Sequence, residues 1–136
     1  MSAERKLIHT EYIPIRWGDM DAMGHVNNTI YFRYMEQARI SWFGTLGEQP
    51  GPDGVGPIII NAACRFRKEL TYPGTVEVRT YAGKPGNSSV PTFIEMRMQD
   101  DPGTLYADGS AVIVWIDYPK RKAVRVPDRV RALLPK

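Results

Sequence analysis

The spacing of apolar residues along the chain changes period twice, and the changes mark its parts. Leu7 to Trp17 alternates, with Ile13 and Ile15 on one side and Tyr12 and Arg16 on the other, which predicts a strand. Pro14 within it suits an edge strand or a bulge. From about Asn28 the period lengthens. Tyr31, Met35, Ala38 and Trp42 fall at spacings of four, three and four, one face of a helix. Asn28 or Asn27 could cap that helix through a carboxamide oxygen, and Gly44 and Gly47 supply stops. Residues 48–57 are rich in Gly and Pro and predict a loop, too short to divide the chain into two cores. Alternation then returns in four predicted strands: Ile58 to Phe66, Thr75 to Ala82, Val90 to Met98 and Leu105 to Asp117. Tyr72-Pro73-Gly74, Lys84-Pro85-Gly86-Asn87 and Asp100-Asp101-Pro102-Gly103 separate them as turns. Pro127 to Leu134 predicts a short terminal helix. One strand, one long helix and four strands imply an α+β domain in which an antiparallel sheet curls over the helix.

Length sets the scale of that domain. The chain has 136 residues, enough for one core, so residues 1–136 are read as a single domain. Charged residues make up 24 % and hydrophobic residues 43 %, the balance of a chain that folds. A net charge of +3 is mild; it would assist an anionic small molecule but implies no nucleic acid without a motif. No apolar run approaches the roughly 18 residues of a membrane span, and the first residues lack a signal-peptide core. Cys64 stands alone, so no intrachain disulfide can form, and a reducing cytoplasm is the expected setting.

Chemistry concentrates in Arg16 to Phe43. Asp19, Asp21, His25, Asn27 and Asn28 crowd into ten residues immediately before the long helix. The first amides of a helix have no intrahelical acceptors, and the dipole there favours negative charge. A carboxylate or imidazole held beside them combines a group that drives attack with a site for an oxyanion, as carboxyl-derivative chemistry requires. Asp21 is a candidate nucleophile or general base, with an Asx-turn residue as its structural alternative. Asp19 reads as a brace for the turn. His25 could polarise a substrate, move a proton, or bond a loop carbonyl. Asp19, Asp21 and His25 lack a fourth ligand and do not make a metal site. Cys64, in a predicted strand, reads as a small buried apolar residue.

The block from Trp17 through Asn28, with its Asp19-x-Asp21-x-x-Gly24-His25-Val26-Asn27-Asn28 spacing, continues through Tyr31, Tyr34, Glu36, Ala38 and Arg39. With Cys64 to Thr80, Gly86 to Ser89 and the segment PDRVRALL, it resembles the hotdog-fold acyl-CoA thioesterases of the 4-hydroxybenzoyl-CoA thioesterase-like group. The resemblance covers nearly the whole chain. It implies a curled antiparallel sheet wrapped around one long central helix, dimerised so that two sheets join and two active sites lie at the subunit interface. A homodimer or a tetramer of two dimers would follow. Within it Asp21 carries catalysis, a backbone amide near Asn28 receives the oxyanion, and no metal or organic cofactor is used. Some members have an apolar residue at the position of His25, which leaves the division of labour between Asp21 and His25 open. Asn27, Tyr31, Arg65, Lys84, Ser88 and Ser89 are the candidate contacts for the acyl-CoA substrate. Hydrolysis of an acyl-CoA to carboxylate and free thiol is the expected activity. The alternatives are acyl groups on acyl carrier protein and a non-catalytic hotdog that only binds acyl-CoA.

Overall fold

The computed structural model describes residues 4–47 and 54–136. Within them β1 (Lys6–Pro14) leads through a 3-10 turn at Trp17–Asp19 to α1 (Asn28–Thr45). The strands β2 (Val55–Phe66), β3 (Thr75–Ala82), β4 (Ser89–Met98), β5 (Ala107–Asp117) and the two-residue β6 (Lys122–Ala123) follow, and α2 (Asp128–Arg131) comes last. Every strand pairing is antiparallel, in the order β1-β3-β4-β5-β2, with β6 against β5.

The strand faces follow the predicted alternation. Val76, Val78, Thr80 and Ala82 of β3, and every second residue of β4 from Val90 to Met98, are buried beneath α1. The helix returns Tyr31, Tyr34, Met35, Ala38, Trp42 and Phe43 to that face. Burying each large side chain stabilises the fold by roughly 1.5–3 kcal/mol before conformational entropy is counted, so this seat is what holds the helix. One core cluster joins Tyr31, Tyr34 and Met35 to Leu70, Val76, Val78 and Met96 near the helix start. A second joins Trp42 and Phe43 to Val90, Ile113, Trp115, Val126, Val130 and Leu134 near its end. The hotdog arrangement expected from the resemblance is the one observed.

The differences lie at element ends. The first strand stops at Pro14 and the expected continuation to Trp17 becomes the 3-10 turn. Strand β2 starts at Val55, inside the predicted loop, because cross-strand pairing with Asp117, Ile116 and Trp115 overrides the local Gly and Pro signals. Residues 48–53 of that loop lie outside the described residues. Pro57 is tolerated because β2 is an edge strand. Among the described residues, no helix is long and apolar enough to cross a membrane.

Candidate active site

The site is built by the turn that joins β1 to α1. The Asp21 N–H donates to the His25 carbonyl at 2.8 Å and the Gly24 N–H to the Asp21 carbonyl at 3.1 Å, closing a tight reversal. Gly24 sits at φ +81°, where an L side chain would be strained, so glycine is required at the bend. A Met20–Val26 bridge ties the base of the reversal, and the Val26 N–H donates to the Leu70 carbonyl at 2.8 Å.

Asp19 and Asp21, two residues apart, face opposite ways. Asp19 is 5 % exposed. Its Oδ2 accepts the Tyr34 hydroxyl at 2.8 Å and the Arg16 amide at 3.0 Å, with the Arg16 guanidinium beside it. Burial opposes its ionisation, but the Arg16 amide, the Tyr34 hydroxyl and the Arg16 charge outweigh that and hold the carboxyl below the ordinary aspartate value. Its backbone carbonyl also accepts the Asn27 N–H at 2.9 Å. Asp19 therefore fastens the turn to α1 and does not converge with Asp21 and His25.

Asp21 lies on the open side. Its Oδ1 accepts the Met23 N–H at 2.9 Å in an Asx turn, while Oδ2 has no partner among the described residues. The turn and the catalytic reading thus coexist, since one oxygen fixes the carboxylate and the other remains available. Asp21, His25, Asn28 and Tyr31 line one cavity of about 280 Å³ together with Phe66, Arg67, Lys68 and Glu69.

The helix begins at this cavity. Asn27 is its N-cap: Oδ1 accepts the N–H and the hydroxyl of Thr29, both at 2.9 Å. Asn27 is therefore occupied as a cap, and the expectation that it contacts substrate through its side chain is corrected. The Ile30 N–H goes to the Asn27 carbonyl, whereas the Asn28 N–H has no acceptor among the described residues. The cap makes a measurable contribution: Asn27→Ala is expected to lower stability by about 1 kcal/mol in urea unfolding.

Tyr31 is buried, its ring edge-on to Phe66 with centroids 4.9 Å apart. Its hydroxyl accepts the Leu70 N–H at 3.1 Å, which leaves the phenolic proton to be donated elsewhere. Burial keeps that phenol protonated, raising its pKa above the usual value despite the Leu70 amide. Arg67 is held by Asp108 at 2.6 Å, and the Lys68 ammonium lies 5.1 Å from the centre of the Tyr106 ring. Phe66 and Glu69, absent from the sequence-based site, are brought in by the end of β2. Their signal was the Cys64 to Thr80 stretch of the resemblance, which does not say which face of the strand points inward.

Four other candidates lie elsewhere. Arg65 faces the outer side of the sheet, in a separate groove of about 660 Å³ with Tyr81, Phe93, Glu95 and Ser110. Alternation along β2 turns it away from the helix while Phe66 points inward. Lys84, Ser88 and Ser89 belong to the β3–β4 turn, which packs against the end of the chain and the far end of α1. The Val126 N–H donates to the Asn87 carbonyl and the Arg131 guanidinium to the Asn87 carbonyl at 2.8 Å. The Trp115 N–H donates to the Ser88 carbonyl and the Gly86 N–H to the Ser89 carbonyl. Within one chain these residues are separated from the Asp21 cavity by the length of an 18-residue helix, about 25 Å. Cys64 is half-buried, and burial, reinforced by Asp108, pushes its thiol up to about 11, so it is protonated at neutral pH and no nucleophile.

A sequence profile of the Thioesterase-like superfamily matches residues 15–134. A Pseudomonas aeruginosa protein, PA2801, named as a candidate thioesterase, is 41 % identical; the match covers 93 % of this chain and 98 % of that one, with a TM-score of 0.88. A candidate acyl-CoA thioesterase of Xanthomonas campestris, XC229, is 35 % identical over 82 % of this chain and 94 % of its own, with a TM-score of 0.75. The gentisyl-coenzyme A thioesterase BH1999 is 25 % identical over 90 % of this chain and 98 % of its own, with a TM-score of 0.76.

Proposed function

The chain belongs to the thioesterase-like superfamily and is a thioester hydrolase of the hotdog fold, and from that premise we propose that it cleaves acyl-CoA in the cavity holding Asp21, His25 and the first amide of α1. One observation carries this reading: a carboxylate with a free oxygen and a helix-start N–H without an acceptor line the same 280 Å³ space. A scissile carbonyl oxygen set against the Asn28 N–H gains charge as the tetrahedral intermediate forms, when that donor is worth about 3–4 kcal/mol. Asp21 either attacks the carbonyl carbon, expelling the thiolate and leaving an acyl-aspartyl anhydride for water to open, or takes a proton from water as that water attacks. The products are a carboxylate and free coenzyme A thiol in both cases. His25 and the Tyr31 hydroxyl are placed to donate to the leaving sulfur or the carbonyl. Because the oxyanion donor is backbone, the identity of the Asn28 side chain is secondary.

The same reading asks for a second copy. Trp17 and Met23 on the turn are 76 % and 77 % exposed, and Ile60 and Phe66 on the edge strand β2 are 58 % and 47 % exposed. An uncovered edge strand carrying large apolar side chains is a template for pairing. Antiparallel pairing of β2 with β2 of a second copy would set the Phe66 end of one strand beside the Val55 end of the other. That neighbourhood, through Val55–Asp117 and Val114–Ser89 pairing, leads toward Ser88, Ser89 and Lys84 of the second copy. Those residues then serve coenzyme A across an interface that one chain lacks.

Two measurements test this. Thiol release from a panel of acyl-CoAs, followed with a thiol-reactive dye, should show turnover; flat traces with tight acyl-CoA binding would instead mean a sensor. Sedimentation should give a dimer or tetramer, and Ile60→Lys should shift it toward monomer with loss of turnover. A stable monomer with full activity would refute the shared site.

A further inference from the structure

Asn28, Phe32, Met35 and Arg39 follow one another at spacings of four, three and four, so they run down a single flank of α1. That flank faces β2. Asn28 shares its cavity with Phe66, and Met35 packs over Gly109, the cross-strand partner of Cys64. Ala62, Cys64 and Phe66 pair with Ala111, Gly109 and Ala107, which places them on the inner face. Ala62, Phe66 and Phe32 are nonetheless exposed, because the helix leans on β1 and β3 rather than on β2. The result is an open apolar trough that starts at the Asn28 amide and passes Met35. Its floor is small by construction. A Cβ at Gly109 would lie 2.5 Å from the Ala63 carbonyl and 3.3 Å from the Met35 methyl.

Arg39 stands eleven residues from Asn28 on this stripe, about 16 Å along the axis, with a side chain that leans back toward the helix start. That is the reach of a medium-length acyl chain. Its side chain is partly buried and lines a cavity of about 10 Å³ with Met35, Trp42, Thr80, Thr92, Ile94 and Ile113. Burial makes its charge less favourable, an effect that Glu36 only partly offsets. No carboxylate lies within ion-pair distance of it among the described residues; Glu36 pairs with Arg33 at 3.5 Å instead. The Thr92 hydroxyl donates to the Ala111 carbonyl at 2.6 Å. A guanidinium withdrawn from water into apolar surroundings, with its planar fork of donors unfilled, is the complement of a carboxylate.

We propose that the acyl groups handled here carry a carboxylate at the end remote from the thioester, and that Arg39 receives it as the specificity-determining residue. The assignment rests on the thioesterase reading of the Asp21 cavity, from which the trough leads. Suberoyl-CoA and octanoyl-CoA, of equal chain length, are the probes. The wild type is expected to favour suberoyl-CoA in kcat/KM by roughly tenfold or more, mainly through KM, and Arg39→Met to reduce that ratio about thirtyfold or more. Arg39→Lys should restore part of it. Equal losses on both probes, a wild-type preference for octanoyl-CoA, or dissociation of the oligomer by Arg39→Met would each overturn the proposal. Calorimetric binding of both thioesters to Asp21→Asn protein separates the two readings. Preferential binding of suberoyl-CoA without turnover by the wild type would refute hydrolysis and keep Arg39; turnover without any preference would do the reverse.

Discussion

Asp21→Asn is expected to lower kcat by at least about two orders of magnitude while leaving the fold and the oligomer intact. The replacement is nearly isosteric, and an amide oxygen can still accept the Met23 N–H that holds the turn at 2.9 Å. What it removes is the second carboxylate oxygen, the one without a partner, and with it both the nucleophile and the base. The Asn28 amide and the cavity walls remain, so substrate should still bind and KM should move little. A thiol-release assay measures kcat, and circular dichroism with sedimentation checks that the protein is otherwise whole. Near-wild-type turnover would remove Asp21 from the mechanism and turn attention to His25 and to Glu69, the other carboxylate of the cavity. Oxygen-18 incorporation into the protein during turnover then distinguishes attack by Asp21 from attack by water.

Asp19→Asn should do the opposite, unfolding the protein more readily with a smaller direct effect on chemistry. Asp19 takes the buried Tyr34 hydroxyl and the Arg16 amide on one oxygen, and a carboxamide cannot satisfy both as well. Breaking bonds to a buried charged acceptor is worth about 2–3 kcal/mol here, read as the shift in urea midpoint at neutral pH. The sign with pH follows from the direction of the shift. The folded-state pKa of Asp19 lies below the ordinary 3.8, so its contribution is present above that value and is lost as pH falls from it through the lowered native value. The stability gap between wild type and Asp19→Asn should therefore narrow on acidification below about pH 4. A gap that stayed constant or widened would mean the carboxylate is not the stabilising group.

The contrast between these two aspartates marks how far the residues could be read without coordinates. Their two-residue spacing was legible, as was the reading of Asp19 as a brace, but the depth of Asp19 was not. Its partner Tyr34 arrives from the second turn of a helix whose docking depends on strands formed forty to ninety residues later. Arg65 gives the same lesson in a strand. Alternation says that Arg65 and Phe66 face opposite sides, yet only the pairing of β2 with β5 says which side is inner. Lys84, Ser88 and Ser89 were grouped with the site by resemblance, and the single chain holds them at the wrong end of α1.

Local rules settled the helix and its periodic face, the turns, the strand alternation and the crowding of Asp21, His25 and Asn28 before the helix start. These are interactions between residues a few positions apart, whose geometry the backbone itself imposes. The tertiary structure decided the strand order, which edge stays bare, which member of each alternating pair points inward, and that Phe66 and Glu69 close the cavity. Those outcomes depend on register between segments far apart in the chain, where one residue of slip exchanges the two faces of a strand.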